Sequence, residues 1–154
     1  MILYLDTSAL VKRYFMESHT DGVLQLWRQA AGIMTSAVAY AEAMAAFRRK
    51  ERELPLDKGL IHSVIKDFLM DWPGFIRVEV SVDLNFHIDR LLKRYPLRGL
   101  DAIHLASGVL VHEHLADNLV FACFDQKLLL AAQQEGLKTF PAPPNGNHLE
   151  NSQN

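Results

Sequence analysis

The stretch MILYLDTSAL, Met1–Leu10, ends an apolar run on a lone acid. Ile2–Leu5 are all large and apolar, and Asp6 follows with no charged neighbour before Lys12. A half-exposed strand alternates in polarity, whereas a continuous run like this one is expected to be buried on both faces of a parallel sheet. Burying a carboxylate at the end of such a strand is costly unless something compensates its charge. What Asp6 meets is therefore the first question.

Similar short runs recur along the chain. Ile33–Thr35, Ile76–Val80, Leu119–Phe124 and Lys138–Phe140 are expected to be strands. The segments between them have helical patterns. Val23, Leu24, Leu26, Trp27 and Ala30 form one stripe, and Ser36–Lys50 is rich in alanine. Pro55–Asp71 opens with a proline suited to a first helical turn. Leu84–Tyr95 and Leu100–His114 follow, then Gln126–Glu135, which Gly136 stops. Strands separated by helices imply right-handed βαβ units and an α/β domain. That domain is expected over residues 1–140. The remaining PAPPNGNHLENSQN, residues 141–154, carries no Lys or Arg and is expected to be a disordered tail.

Composition narrows the function. A chain of 154 residues, 49% hydrophobic and 22% charged, suits one globular domain. Its formal net charge of −2 and pI near 6.4 are not those of a basic nucleic-acid binder. Any RNA contact must rest on local clusters: Lys12–Arg13, Arg48–Lys50 with Arg52, and Lys93–Arg94 with Arg98. Cys123, the one cysteine, lies inside LVFACF and reads as core filling. A disulfide framework and a cysteine zinc site are excluded. The start lacks the pattern of a secretory signal, and no uncharged run is long enough to span a bilayer, so a soluble cytoplasmic protein is expected. No Gly-rich loop follows the first strand, which argues against a dinucleotide site.

Four acids stand among uncharged neighbours. Glu42 is the centre of AVAYAEAMAAF, with five uncharged residues on each side. It reads as a mid-helix acid, about two turns in, which cannot serve as a cap. Asp101 opens an apolar helix in RGLDAIHLASG, and Asp125 directly follows LVFACF. Taken singly, Asp6 and Asp125 could be helix N-caps, and Asp101 could answer a helix dipole. Taken together they converge. Ligands of open α/β sheets bind outside the carboxyl ends of the strands, where Asp6 and Asp125 fall. Four carboxylates in one cleft call for a cation, and hard oxygen donors select Mg²⁺ or Mn²⁺. The chemistry that follows is phosphodiester hydrolysis by a metal-activated water. His104, three residues after Asp101, reads as a structural histidine able to approach the cleft. His112 and His114 in VHEHLAD read as a solvated helix end, since their spacing places them on different helix faces.

YLDTSALVKRY, TSAVAYAEAMAAF, LRGLDAIHLASG and FACFDQKLLLAAQQEGL, in this order, resemble the PIN-domain ribonucleases, and within them the VapC-type toxins of toxin–antitoxin modules. The resemblance runs from residue 2 to about residue 140. It implies a Rossmann-like, three-layer α/β/α domain with a central parallel sheet of about five strands. It implies that Asp6 and Asp101 are the principal Mg²⁺ ligands, that Glu42 helps to hold metal or activate water, and that Asp125 completes the pocket. It further implies an RNA substrate, often transfer or ribosomal RNA, a small antitoxin partner and a homodimer. One departure is Cys123, where the family often has Thr or Ser. Thr7 and Ser8 read equally as helpers of a metal-bound water and as helix-start hydroxyls.

Three rival readings remain. A dehalogenase-like phosphatase would need a second Asp where Ser8 stands. A non-catalytic PIN-like module that binds RNA or protein would not need all four acids. A solitary RNA-processing nuclease would lack an antitoxin.

Overall fold

The computed structural model describes residues 1–55 and 57–144. Five strands, β1 (Ile2–Leu5), β2 (Gly32–Ser36), β3 (Ile76–Val78), β4 (Leu119–Ala122) and β5 (Thr139–Phe140), form one sheet. Every pairing is parallel, and the order is β3-β2-β1-β4-β5, with β1 central. Seven α-helices connect them: α1 (Thr7–Val11), α2 (Thr20–Gln29), α3 (Ala39–Glu53), α4 (Lys58–Asp71), α5 (Val82–Arg94), α6 (Gly99–Leu115) and α7 (Gln126–Gln134).

Side chains alternate across the sheet and feed two separate cores. Leu3 and Leu5 of β1 join Val120 and Ala122 of β4, and pack with α1, α2, α3 and α4 on one face. Tyr4 joins Met34, Leu119 and Phe121 under α5, α6 and α7 on the other. The period-two side-chain alternation of a strand, with helices on both sides, makes the three α/β/α layers. Close approach is needed where α6 crosses β4. A Cβ on Gly108 would stand 2.7 Å from the Phe121 ring, so glycine fits there and a larger residue would have to push the ring aside.

Local chemistry sets most element ends. Asp57 caps α4 by accepting from the Gly59 N–H at 2.9 Å. Gly136, at φ +83°, ends α7: its N–H donates to Gln133 O, and the Leu137 N–H donates to Ala132 O. Three expectations need correction. Helix α4 starts after Asp57, so Pro55 lies outside it, because the aspartate cap supplies a better start than a proline two residues earlier. Strand β3 stops at Val78 and is mostly exposed, because it is the sheet edge and only one neighbour covers it. Helix α3 starts only at Ala39, after a turn at residues 37 and 38, so Glu42 belongs to its first turn. Of the expected tail, residues 141–144 run without regular structure, and residues 145–154 lie outside the described part. Among the described residues no helix is long and apolar enough to cross a membrane.

One ion cluster ties the second helical layer together. Arg90 Nη2 and Arg94 Nη1 donate to the nearly buried Glu135 at 2.8 and 3.3 Å, and the Tyr95 hydroxyl donates at 2.7 Å. Burial pushes the Glu135 carboxyl up, but the bonds from Arg90 and Tyr95 and the arginine charges outweigh it, leaving it below the ordinary range. A folded pKa below the unfolded one gives stability that is present above the ordinary glutamate pKa and lost as pH falls through the folded value. Glu135→Gln is expected to cost about 1–3 kcal/mol at neutral pH, discounted because both arginines are partly exposed, and much less in acid. Urea unfolding at both pH values checks this. An equal loss at the two would show that the charge is not what matters.

Candidate active site

The carboxyl ends of β1 and β4 lie side by side. The Asp6 N–H donates to Ala122 O at 3.1 Å, extending the ladder one step past β1. From there the sheet grows in opposite directions, β1 leading towards β2 and β4 towards β5. This is the reversal of strand order at which open α/β sheets form a crevice. Asp6 and Asp125 flank it as N-caps. Asp6 Oδ1 accepts from the Ala9 N–H at 2.9 Å, and Asp125 Oδ1 accepts from the Leu128 N–H at 3.0 Å. Ser8 joins the two loops: its Oγ accepts from the Phe124 N–H at 2.9 Å and donates to Asp6 Oδ1 at 2.7 Å.

Glu42 arrives from α3 and Asp101 from the first turn of α6. All four acids line one cavity of about 270 Å³, together with Thr7, Ser8, Arg98, His104 and Phe124. Each carboxylate already has a partner. Glu42 Oε1 accepts from Thr7 Oγ1 at 3.0 Å and from His104 Nε2 at 2.8 Å. Asp101 accepts from Arg98 Nε at 2.8 Å. Among the described residues no three His, Cys, Asp or Glu side chains form a ready-made coordination cluster.

The two best-held acids are pushed in opposite directions. Asp6 is 4% exposed, and burial raises its carboxyl above the usual range despite His104, Ser8, the Ala9 N–H and Cys123. For Glu42, burial also pushes upward, but His104, Thr7 and Arg98 together outweigh it and the carboxyl is lowered.

Residues 3–133 match the PIN domain. The chain belongs to the PIN-domain family. Two relatives, Ribonuclease VapC45 and Ribonuclease VapC49 of Mycobacterium tuberculosis, are each 30% identical over 141 residues, which is 92% of this chain and 96% of theirs. This PIN domain is thus of the VapC type. The crystal structure of VapBC2 from Rickettsia felis, bound to a DNA fragment from its promoter, has the same fold, with a TM-score of 0.59. It is 16% identical, and the match covers 90% of this chain and 97% of that one.

Two residues of this PIN domain do more in the cavity than their sequence context suggests. His104 is a structural histidine, 2% exposed, and it is also the residue that holds Glu42. An ionised carboxylate only accepts, so Nε2 carries the proton. Nδ1 lies 3.0 Å from the Tyr4 hydroxyl, which burial keeps protonated. A buried row, Tyr4–His104–Glu42, results. Arg98, grouped by sequence with Lys93 and Arg94, instead lines the acid cavity through its pair with Asp101. The i, i+3 spacing of Arg98 and Asp101 at a helix start was the signal for this.

The other expected RNA-contact clusters are largely committed elsewhere. Lys12 is buried against Glu17 and over the Phe124 ring. Arg13 pairs with Asp71 and lies over Tyr14 and Trp27. Arg48 pairs with Glu51, Lys50 with Glu17, Lys93 with Asp89 and Arg94 with Glu135. Thr7 and Ser8 are neither idle nor mere helix starters, since Thr7 holds Glu42 and Ser8 joins the loops. Cys123 is core filling that also touches the site. Its thiol donates to Asp125 O at 3.5 Å, and burial pushes its pKa up so that it stays protonated. His112 and His114 bond main-chain carbonyls at the exposed end of α6.

Proposed function

We propose that this PIN domain is a Mg²⁺-dependent endoribonuclease, with Mn²⁺ an acceptable substitute, acting in the cytoplasm as the toxin of a toxin–antitoxin pair. The observation that carries the reading is the single cavity lined by Asp6, Glu42, Asp101 and Asp125 at the reversal of strand order. The likeness to Ribonuclease VapC45 and Ribonuclease VapC49 supports an RNA substrate, and a small antitoxin and a homodimer belong to the same proposal.

The donor set fits the ion. All four groups are carboxylates, and the one imidazole among them has both nitrogens engaged. Mg²⁺ keeps several waters and takes one or two carboxylates directly, so it does not need a closed cluster. Asp6 and Asp101 would hold it, Glu42 would assist, and Asp125 would complete the shell through water. Bound there, it would supply a nucleophile at neutral pH and positive charge against the phosphoryl oxygens.

The protein's own groups set the rest. Ser8 and the Ala9 N–H fix Asp6 to the loop that carries Asp125, so the two strand ends keep one spacing. His104 and Thr7 both bond Glu42 Oε1, which leaves Oε2 as the atom to face a cation. A carboxylate held below its ordinary range serves better as a ligand than as a proton acceptor. The Arg98 guanidinium can spread its N–H groups between Asp101 and a phosphate oxygen, steadying charge on the substrate.

Purified protein is expected to cleave RNA in Mg²⁺ or Mn²⁺ and to lose that activity in EDTA, with recovery when Mg²⁺ is returned in excess. Gel analysis of total RNA checks it. Cleavage that survives EDTA would refute the metal dependence. RNA that is bound but never cut would favour a binding module, and a locus without an adjacent antitoxin gene would favour a solitary processing nuclease.

A further inference from the structure

We infer that His19 and Phe124 form a platform, in a groove beside the acid cavity, on which a base of the RNA stacks. The inference rests on the endoribonuclease reading and adds where a base of the substrate lies.

Three hollows share walls. The acid cavity has Arg98, Asp101, Phe124 and Asp125 in common with a second hollow of about 430 Å³. That one has Gln126 and Lys127 in common with a third, of about 560 Å³, bounded by His19 and Pro141. The shared residues mark a path from the four acids along the first turn of α7 to Pro141, Ala142 and Pro144. Arg98 and Lys127 put positive charge on its walls, where the phosphates of a strand leaving the acid cavity would run.

His19 is the feature that points to a base. Its backbone sits at φ +68°, a left-handed conformation that is uncommon for residues other than glycine. It occupies the N-cap of α2 yet makes no side-chain capping bond. A glycine or asparagine would sit there with less strain. The exposed imidazole instead stacks on Phe124, with centroids 5.2 Å apart and planes 26° from parallel. Phe124 is itself braced by Lys12, 4.7 Å from its centroid, and edge-on by Phe140 at 5.9 Å. A left-handed backbone that keeps an exposed ring against a braced aromatic, beside the acid cavity, points to function. Its chemistry is that of single-strand recognition, in which unstacked bases lie on Phe, Tyr, Trp or His faces. In a duplex the bases already cover one another's faces, and Asp6 and Asp101 are recessed, at 4% and 9% exposure.

The test measures fluorescence anisotropy of a short labelled single-stranded RNA and of the same RNA annealed to its complement. Binding is read in Mg²⁺ with Asp6→Asn protein, so that the RNA is not consumed. The single strand is expected to bind at least about tenfold more tightly than the duplex. Adding His19→Gly, which suits a positive φ and so keeps the fold, is expected to weaken single-strand binding by about 5- to 100-fold. Adding His19→Phe is expected to retain most of it. In otherwise wild-type protein, His19→Gly should raise KM and leave kcat unchanged. Equal binding of single strand and duplex, no effect of His19→Gly, or no binding of either RNA would overturn the groove. Cleavage with an unchanged KM would remove the groove and leave the nuclease. His19-dependent binding without any cleavage by wild-type protein would remove the nuclease and leave the groove.

Discussion

Asp6→Asn is expected to lower metal-dependent RNA cleavage by more than about a hundredfold while leaving the fold intact. Outer partners of metal ligands already cost about 10- to 100-fold when removed, so a direct ligand should cost more. The fold should survive because an amide oxygen can still accept from the Ala9 N–H and from Ser8, the bonds that start α1. Stability should even rise at neutral pH. Burial holds the folded pKa of Asp6 above its unfolded value. The folded state therefore binds the proton more tightly, and the ionised group costs stability as pH rises from the ordinary aspartate pKa through the folded one. A neutral asparagine lacks that cost, so the variant's Tm at neutral pH should equal or exceed that of the wild type. The same argument gives a readout without RNA. Millimolar Mg²⁺ should raise the Tm of wild-type protein by mass action and should barely move that of Asp6→Asn. Undiminished cleavage by Asp6→Asn, or an equal Mg²⁺ shift in both proteins, would refute the role given to Asp6.

His104→Leu is the second large effect, an expected loss of about 10- to 100-fold in kcat/KM. The leucine removes the donor at 2.8 Å that fixes Glu42 and strands the Tyr4 hydroxyl, which is fully buried. An unsatisfied buried hydroxyl costs about 1–3 kcal/mol, so a fall in Tm accompanies the loss of activity. His104→Gln separates the two effects, because its amide N–H can still reach Glu42. It should recover most of the activity. Tyr4→Phe supplies the opposite case: it removes the hydroxyl, keeps the stacking on Phe121 and leaves the Nε2 bond in place. It should cost stability more than activity. Were His104→Gln as inactive as His104→Leu while equally folded, His104 would act by something other than holding Glu42.

Much of this was legible along the chain because burial leaves a local trace. Ile2–Leu5 and Leu119–Ala122 are apolar without alternation because each is covered on both faces, and both are strands. Ile76–Val80 was over-read, because an edge strand has a neighbour on one side only and local composition does not say which strand will be the edge. Glu42 stood out because alanines surround it, yet its place in the helix did not, since Ala37 and Val38 form a turn although their residue types allow a helix. The pairing of the basic clusters was not legible for a related reason. A run of Lys and Arg looks free in sequence, but Lys12 and Arg94 are paired with acids on other elements.

The sequence by itself determined the class of this protein: a parallel α/β domain with four isolated acids, three of them at element junctions. Hydrophobic periodicity and capping chemistry act within a few residues, so they can be read directly. Only the tertiary structure decided that β1 lies between β2 and β4, and so that Asp6 and Asp125 meet across one crevice. It alone decided that His104 reaches Glu42 and Tyr4, and that His19 lies on Phe124. Those pairs come from distant parts of the chain. Strand order and helix packing bring them together through the summed burial of two cores, which no local stretch encodes.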